Sequence, residues 1–525
     1  MSAKDGADAQ PDVAAAVQKG YAFEGPALEL GALVVDGTAR PDAPVRIPLA
    51  MVNRHGLVAG ATGTGKTKTL QLMAEQLSAA GVPVMAADIK GDLSGLAEPG
   101  EASERTTARA TEVGQAWSGL GCSVELLALG GQGDGLTLRA TMTSFGPTLL
   151  AKVLGLNEVQ ESSLGLVFHF ADKAGLPMLD LKDLRAVVQF LTSDEGKEEL
   201  KELGGLSRAT AGVILRELVA FEDQGADAFF GEPEFDTADL MRVSADGRGI
   251  VSLLELPQLQ DRPRLFSTFL MWLLADLFEE LPEVGDVDKP KLVFFFDEAH
   301  LLFDDASKEF LTAIAQTVRL IRSKGVGVFF VTQTPKDVPD DVLAQLSNRV
   351  QHALRAHTPN DEAALRATVR TFPKTTFYDL GETLTSLGIG EAVVTVLDAR
   401  GAPTPVVATR LVPPASRMAP LTPEELQADI RQSPWLAEYG QAIDRESARE
   451  MLASRMERTA PAGPTAAGGG QGAGKTAKTI AGVAAGAVVG ALSSSIGRTI
   501  GREVVRGLFG LLGAKPGGGS RRSRW

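Results

Sequence analysis

The segment Gly60-Ala-Thr-Gly-Thr-Gly-Lys-Thr67 constrains the fold of this chain more than any other part of its sequence. The short apolar run Gly56–Ala59 precedes it, and the sequence KTKTLQLMAEQLSAA that begins at Lys66 has the periodicity of a helix. Glycines let the backbone curl so that several N–H groups point inward, and the start of a helix adds a partial positive charge. A strand, a glycine-rich loop and a helix in this order predict a phosphate-binding loop within an α/β fold.

The residue types in this loop fit the binding of ATP with Mg²⁺. Lys66 is expected to reach the β- and γ-phosphates, and the Thr67 hydroxyl is expected to bind Mg²⁺. A glycine-rich turn that matches the pattern by chance is the alternative, and the flanking strand and helix argue against it. The residues expected to contact the nucleotide form one run, Gly60, Ala61, Thr62, Gly63, Thr64, Gly65, Lys66, Thr67 and Lys68.

A second segment, Gly469–Thr476 (GGQGAGKT), fits the same pattern. It follows PAGPTAAG, which contains no apolar run that could form a strand. Without a strand and sheet to hold it, nothing fixes the N–H groups of this second loop. We therefore predict that it is not a nucleotide site.

The apolar run Leu292–Phe296 is followed directly by two carboxylates, Asp297 and Glu298. Asp297 is expected to hold Mg²⁺ directly or through water, and Glu298 is expected to orient or deprotonate the attacking water. Together with the glycine-rich loop, this pair predicts a Mg-dependent ATPase.

Polar residues also end the apolar run Val326–Thr332, where Thr332 is followed by Gln333. A hydroxyl or an amide at the end of a strand beside the nucleotide can sense the γ-phosphate or position water. We predict such a role for Gln333, and the alternative is that Gln333 only caps the strand.

Several short apolar runs, most of them followed by turn residues and a helical stretch, predict the fold class. Runs such as VFFF and GVFFVT are apolar on both faces, as in parallel strands that helices cover on both sides. The prediction is an α/β fold with a mainly parallel sheet, a small β-element over residues 27–50 and an all-helical insertion. The predicted core strands are 56–59, 82–89, 123–127, 249–255, 291–296, 326–332, 350–356 and 392–397.

A chain of 525 residues is too long for a single hydrophobic core, so several structural units are expected. The predicted limits follow composition and periodicity. They are a disordered start (1–22), the N-terminal β-element with the first part of the ATPase core (23–147), the helical insertion (148–241), the second part of the core (242–415), a helical extension (416–457), a flexible linker (458–478) and a Gly/Ala-rich, basic amphipathic tail (479–525).

The charge of the chain is unevenly distributed. The net charge is −14, but the segment from Lys475 onward carries nine basic residues against one acidic residue, so the rest of the chain carries −22. The N-terminus does not resemble a signal peptide, and no apolar stretch reaches the length of about 20 residues that spans a bilayer. We expect a cytoplasmic protein. The single cysteine, Cys122, excludes a disulfide within the chain.

The blocks NRHGLVAGATGTGKT, ADIKGDLSGLA, LVFFFDEAH, RLIRSKGVGVFFVTQTP and NRVQHALRA resemble the HerA-related branch of the HerA/FtsK ATPases, and in particular the bacterial HerA-like helicase proteins. The resemblance extends from about Phe23 to the C-terminal tail. It implies a RecA-like core that assembles as a homohexameric ring, with ATP between subunits.

The resemblance also implies that an arginine of the neighbouring subunit completes each site. Arg322 occupies the corresponding position before the strand that carries Gln333, and Arg319 lies one helical turn earlier. A guanidinium can stabilise the charge that develops on the transferring phosphoryl group. Arg349 and Arg355 are weaker candidates, and a solvated arginine near a helix end is the alternative reading of Arg322.

Three charged residues, Asp88, Lys90 and Asp92, lie at or just after the end of the predicted strand 82–89. Strand ends at a topological switch point lie near the ligand of an α/β sheet. A catalytic or substrate-sensing role and a role in shaping the loop both remain open for these residues.

Two functions are compatible with the sequence. The motif set and the basic tail favour a ring-shaped DNA translocase or helicase. The acidic body and the lack of a nucleic-acid-binding motif favour an ATPase switch or scaffold that acts on protein or membrane partners. The short N-terminal β-element and the large insertion differ from the archaeal HerA pattern and argue against a role in DNA end resection.

The tail itself has alternative partners. Arg498, Arg502 and Arg506 share one face of a predicted helix, which could contact a membrane, another protein, nucleic acid or the ring itself.

Overall fold

The computed structural model describes residues 12–130, 133–201, 204–256, 263–303 and 308–459. The second glycine-rich segment and the basic tail lie outside the described residues. Two compact units are present: the first contains residues up to Arg139 and Pro233–Ala442, and the second contains Ala140–Glu232 and residues from Ile443 onward. The domain limits given by the sequence analysis stay predictions.

All the strands of the described residues lie in the first unit and join one sheet. In chain order they are β1 (Ala27–Val35), β2 (Thr38–Pro48), β3 (Gly56–Ala59), β4 (Val84–Asp88), β5 (Val124–Leu129), β6 (Leu136–Leu138), β7 (Val251–Glu255), β8 (Leu292–Phe296), β9 (Val326–Thr332), β10 (Asn348–His352), β11 (Glu391–Thr395) and β12 (Val407–Leu411).

The strand order is β2-β1-β12-β11-β10-β3-β9-β8-β4-β7-β5-β6. From β10 to β6 every neighbouring pair is parallel, whereas β11, β12, β1 and β2 extend the sheet through antiparallel pairs. The predicted α/β class with a mainly parallel sheet is confirmed. The N-terminal β-element is the antiparallel end of this sheet, because β1 pairs with β12.

The helices that begin or end in the described residues are, in chain order, α1 (Val13–Gly20), α2 (Leu49–Val52), α3 (Lys66–Ala79), α4 (Glu104–Glu112), α5 (Met142–Phe145), α6 (Pro147–Leu154), α7 (Glu158–Lys173), α8 (Leu181–Thr192), α9 (Arg208–Asp223), α10 (Pro263–Glu280), α11 (His300–Phe303), α12 (Lys308–Ile321), α13 (Asp340–Leu343), α14 (Pro359–Arg370), α15 (Leu380–Ser386), α16 (Pro423–Gln432), α17 (Leu436–Tyr439) and α18 (Ala448–Thr459). Among the described residues, no helix is both long enough and apolar enough to span a membrane.

The centre of the sheet is buried on both faces. Strands β3, β8 and β9 are buried along their whole length. Neighbouring strands place aromatic rings side by side, with Phe295 5.3 Å from Phe329 and Phe296 5.5 Å from Phe330 between ring centroids. Each buried phenylalanine contributes about 1.5–3 kcal/mol of transfer free energy, so these runs stabilise the central strands of the sheet.

The second unit is helical, and its helices begin at capping residues. Asn157 caps α7 and Asp180 caps α8, each in a reciprocal capping box. A group of rings at the core of this unit includes Phe145, whose centroid lies 5.3 Å from that of Phe230. Helix α18 packs against α8 in this unit.

The start of the chain differs from the expected disorder of residues 1–22, because residues 13–20 form α1. The Asp12 carboxylate accepts hydrogen bonds from the N–H groups of Ala14 and Ala15, and Val17 is fully buried in the core of the first unit. The cap and one buried face order this short helix.

Candidate nucleotide site

Four chain segments with the predicted site residues meet at one edge of the sheet. Strands β3, β9, β8 and β4 are adjacent and parallel, so their carboxyl ends lie together. The glycine-rich loop follows β3 and Gln333 follows β9, while Asp297 and Glu298 follow β8 and Lys90 follows β4. We call this side of the sheet the carboxyl edge.

The glycine-rich loop has a backbone that other residues rarely adopt. The φ angles are +153° at Gly60, +76° at Gly63 and +114° at Gly65. A Cβ atom at Gly60 would lie 2.5 Å from the Cβ of His352. Sequence position and backbone shape therefore agree that glycine is required at Gly60.

The loop is fixed on two sides by neighbouring strands. The Gly60 N–H donates to Thr332 O at 3.2 Å, and the Ala61 N–H donates to Ala353 O at 2.9 Å. Helix α3 begins directly after the loop, at Lys66. The loop, its anchors and the helix N-terminus form a cradle that fits a phosphate group.

Two lysines of the loop region have defined contacts. Lys66 Nζ donates to Gly60 O at 2.7 Å and to Ala61 O at 3.2 Å, and burial lowers the pKa of its ammonium. Lys68 Nζ donates to Met418 O and, at 3.1 Å, to Gln71 Oε1. Lys66 thus lies inside the curl of the loop, where it can meet an anion, whereas Lys68 faces the segment around Met418.

Asp297 is almost completely buried at the carboxyl edge, with 1% of its surface exposed. Its Oδ1 atom accepts from the Glu298 N–H at 2.9 Å, and its Oδ2 atom is buried without a hydrogen-bond partner. Burial raises the pKa of Asp297 to about 7. A carboxylate oxygen and the Thr67 hydroxyl are hard oxygen donors, so this donor set fits Mg²⁺.

Glu298 adopts a backbone conformation that is unusual for its residue type, with φ +45°. Its carboxylate forms an ion pair with the Lys90 ammonium and lies 3.3 Å from His300 Nδ1. The two carboxylates and the two lysines form one charged cluster. The charges of Glu298, Lys90 and Asp297 all affect the pKa of Lys66.

Asp88 shapes the turn after β4. Its carboxylate accepts hydrogen bonds from the backbone N–H groups of Lys90, Gly91, Asp92 and Leu93, at 2.7–3.3 Å. Burial raises the pKa of Asp88 to about 6. Of the two roles left open by the sequence, these bonds give Asp88 the loop-shaping one.

Thr332, the last residue of β9, and Gln333, which follows it, have different surroundings. Thr332 Oγ1 donates to Asp337 Oδ2 at 2.6 Å, and this carboxylate also accepts from the Thr334 N–H at 3.0 Å. The side chain of Gln333 is exposed beside the loop. Thr332 thus fixes the turn, and Gln333 is free to face a ligand.

Arg322 lies at the opposite, amino edge of the same sheet, just before β9. The Arg322 guanidinium lies 3.7 Å from Asp286 Oδ1, which also contacts Arg54 at 3.2 Å. Strand β9 has seven residues, so about 20 Å separate this edge from Gln333. The structure therefore does not bring Arg322 to the loop of its own chain.

The other three candidate arginines lie in three different places in the first unit. Arg319 is exposed in the last turn of α12. Arg349 is the second residue of β10, at the amino edge, where its guanidinium donates to Leu346 O and Leu343 O. Arg355 is exposed after β10.

The structure adds two residues to the loop surroundings that the sequence analysis did not single out. His352 Nε2 lies 2.8 Å from Thr69 Oγ1 and is fully buried beneath the loop, and its pKa is lowered to about 4 by burial and by Lys66. The Gly390 N–H donates to Thr64 O at 3.0 Å. His352 ends β10, the strand beside β3, and this position at a strand end could have identified it from the sequence. Gly390 contacts the loop only through backbone atoms, so its residue type does not reveal the contact.

Comparison with known proteins gives a family match. The family profile described as "Helicase HerA-like C-terminal" matches residues 34–517 of this chain. No curated protein sequence matches it.

Solved structures of the bacterial conjugative coupling protein TrwB have a similar fold. The unbound monoclinic form of TrwBdeltaN70 is 16% identical, with a TM-score of 0.51 over 78% of this chain and 93% of that one. TrwB in complex with ADP and Mg²⁺ is 16% identical, with a TM-score of 0.50 over 76% and 98%. The complex with the ATP analogue ADPNP is 16% identical, with a TM-score of 0.50 over 78% and 93%.

Proposed function

Because the chain belongs to the Helicase HerA-like C-terminal family of P-loop ATPases, we propose that it hydrolyses ATP with Mg²⁺ and works as a homohexameric DNA translocase or helicase. The observation that carries the proposal is the convergence of the loop, Asp297 and Glu298 at the carboxyl edge. Each group has the chemistry that phosphoryl transfer to water requires.

The loop would hold the phosphates through its N–H groups and through Lys66. Its ammonium already lies inside the curl, where it contacts two loop carbonyls that an anion would outcompete. Asp297 and Thr67 would hold Mg²⁺, and bound Mg²⁺ would neutralise charge on the phosphates. The buried, unpartnered Oδ2 atom of Asp297 supports this assignment.

Glu298 would accept a proton from the water that attacks the γ-phosphate, and Gln333 would position that water. Glu298 is buried next to Asp297, and Gln333 is exposed one strand away, after β9. Strands β9 and β8 lie on the same side of β3 in the sheet, which supports roles for both side chains beside a phosphate held by the loop.

Arg322 would act on the nucleotide of the neighbouring subunit. Its place at the amino edge, about 20 Å from the loop of its own chain, is incompatible with a role in its own site. The ion pair with exposed Asp286 keeps the guanidinium at the surface, where a neighbour could meet it. This arrangement supports an assembly whose sites are composite.

DNA translocation is the finer part of the proposal, and its test is ATP hydrolysis with and without DNA. We expect single-stranded or duplex DNA to raise the rate of hydrolysis by the full-length chain. A mutant lacking Lys66 should show no hydrolysis under either condition, which controls for contaminating nucleases and phosphatases.

The charge distribution supports a second candidate function. The acidic body outside the tail suits an ATPase switch that acts on protein or membrane partners through the basic segment from Lys475 onward. A rate of ATP hydrolysis that does not change with DNA but rises with vesicles of anionic phospholipid would favour this second function.

A further inference from the structure

The turn after β4 directs a lysine at the carboxylate proposed as the catalytic base. Strands β4 and β8 are neighbours, and Ala87 is paired with Phe296 in the register. The residues that follow these two strands therefore face each other across one strand spacing. Lys90 lies on one side of this gap and Glu298 on the other.

The position of Lys90 is imposed by its turn. Four N–H groups in a row converge on the buried Asp88 carboxylate, and Gly91 takes a φ of +70°. These bonds use only backbone atoms of the turn. The Lys90 side chain is therefore not needed to build the turn, and its own contact with Glu298 calls for another explanation.

The ion pair occupies the carboxylate that would act as the base. The Lys90 ammonium contacts Glu298 Oε1, while the Oε2 atom is buried without a hydrogen bond and lies 3.3 Å from His300 Nδ1. Only 9% of the Glu298 side chain is exposed, compared with 40% of the Lys90 side chain. In this pose Oε1 is held by the Lys90 ammonium, and Oε2 has no hydrogen-bond partner but is closed off from solvent. An incoming water therefore reaches neither oxygen unless the side chain moves.

The backbone of Glu298 indicates that this pose depends on its surroundings. A φ of +45° is uncommon for a residue with a long side chain, and such conformations persist only where neighbouring contacts hold them. The Lys90 ammonium and the adjacent His300 ring are the polar groups that contact the carboxylate among the described residues. Removal of the ammonium would therefore favour other poses of the Glu298 side chain.

We propose that Lys90 is a positioning residue that restrains Glu298 in a resting pose, so that this ion pair must open before ATP is hydrolysed. The proposal rests on the proposed function, because it takes Glu298 as the base. Since Lys90 is partly exposed, a negatively charged group that approaches the turn would compete with Glu298 for its ammonium. Binding of such a group at the turn would therefore release Glu298 and raise the rate of hydrolysis.

Steady-state ATP hydrolysis by full-length Lys90→Met tests the proposal. We expect kcat without any added partner to rise about two- to tenfold, the range expected when an ion pair of modest strength no longer favours the resting pose. The KM for ATP should change less than kcat, because the Lys90 ammonium is paired with Glu298 and not with a loop residue. Lys90→Arg keeps the positive charge and should restore most of the restraint.

Two controls separate a restraint from a general disturbance. Lys289→Met removes a lysine at the amino edge that donates to Ala80 O and Gly81 O, and it should leave kcat unchanged. Lys90→Met combined with Glu298→Gln should be as inactive as Glu298→Gln alone. A higher rate in the double variant would mean that another group acts as the base.

A kcat of Lys90→Met at or below that of the wild type would overturn the proposal, since it would show that Lys90 does not slow hydrolysis. Failure of both Lys90→Met and Lys90→Gln to fold would also overturn it, by making Lys90 a structural residue. The proposed function fails separately: that result would be a wild-type chain without hydrolysis, or full turnover by Glu298→Gln.

Discussion

The two edges of the central sheet carry opposite kinds of chemistry. The carboxyl edge combines the glycine-rich loop with two buried carboxylates and a lysine inside the loop. The amino edge carries the arginine pair Arg54 and Arg322, both in contact with exposed Asp286. One edge is arranged to surround a phosphate, whereas the other presents guanidinium groups at the surface.

Under the proposed assembly, this difference would explain how the site of one chain is completed by another. The carboxyl edge has groups that could bind phosphate, metal and water, and of the arginines considered in the sequence analysis only exposed Arg355 lies there. The amino edge carries Arg322 and no phosphate loop. Stacking the amino edge of one subunit on the carboxyl edge of the next would bring Arg322 toward the loop of a neighbour.

The largest expected effect is at the carboxyl edge. Lys66→Ala removes the positive charge from the interior of the loop, and we expect it to abolish ATP hydrolysis, measured as phosphate release. Lys475→Ala, in the second glycine-rich segment outside the described residues, should leave hydrolysis intact. The reverse pattern would show that the nucleotide site has been assigned to the wrong loop.

The next effect tests whether the amino edge acts in the neighbour. Arg322→Ala should reduce kcat by roughly 10³ to 10⁵, the range known for arginine fingers, while ATP binding is retained. Hydrolysis by the wild type should rise more steeply than linearly with protein concentration until assemblies are complete. Light scattering in parallel with the assay would check this; a fully active monomer would contradict the composite site.

Mixing provides the sharper form of this test. Lys66→Ala subunits and Arg322→Ala subunits should each be inactive alone. A mixed assembly would contain interfaces with an intact Lys66 on one side and an intact Arg322 on the other. Partial recovery of hydrolysis would show that the two edges cooperate between subunits, and no recovery at any mixing ratio would place Arg322 outside the site.

A smaller effect is expected at the carboxylate that acts on water. Glu298→Gln keeps the shape of the side chain but cannot serve as a base, so turnover should fall by roughly 10² or more. Binding of a fluorescent ATP analogue should persist. Near-normal turnover by this variant would remove Glu298 from the mechanism, and lost binding would mean that the substitution disturbs the loop.

The sequence predicted the carboxyl edge better than the amino edge. A loop and a carboxylate pair that follow apolar strands are local patterns, and parallel strands bring their carboxyl ends together by necessity. The fold class and the core strands followed from the same local signals. The limits of β3 and β9, for example, agree with the predicted runs 56–59 and 326–332.

Contacts between distant segments were not predictable in this way. The ion pair of Lys90 with Glu298 joins residues 208 positions apart in the chain, and its partner choice depends on the order of strands in the sheet. Strand β12 was also missed, because its residues read as a short run near prolines and are defined by pairing with β1 and β11. Pairing of this kind is a tertiary property that local periodicity does not encode.

The smallest expected effect concerns stability at the amino edge, where His55 is buried directly before β3. Its Nδ1 atom accepts from the Val328 N–H at 3.1 Å, and burial lowers its pKa to about 3, below the ordinary value of about 6.5. The unfolded chain therefore binds a proton between these values and the folded chain does not. The contribution of neutral His55 is present in full above pH 6.5 and is lost progressively as the pH falls toward 3.

His55→Asn should reduce this sensitivity to acid. Asparagine tolerates the φ of +59° found at this position, and its carbonyl oxygen can accept from Val328. From pH 7.5 to pH 5, the free energy of unfolding of the wild type should fall by about 2 kcal/mol more than that of His55→Asn. Urea unfolding followed by tryptophan fluorescence would measure this difference in the first unit, which contains buried Trp272 and Trp435. Equal losses of stability in both proteins would mean that His55 is protonated in the folded state, and that the amino edge is more open to water than its burial implies.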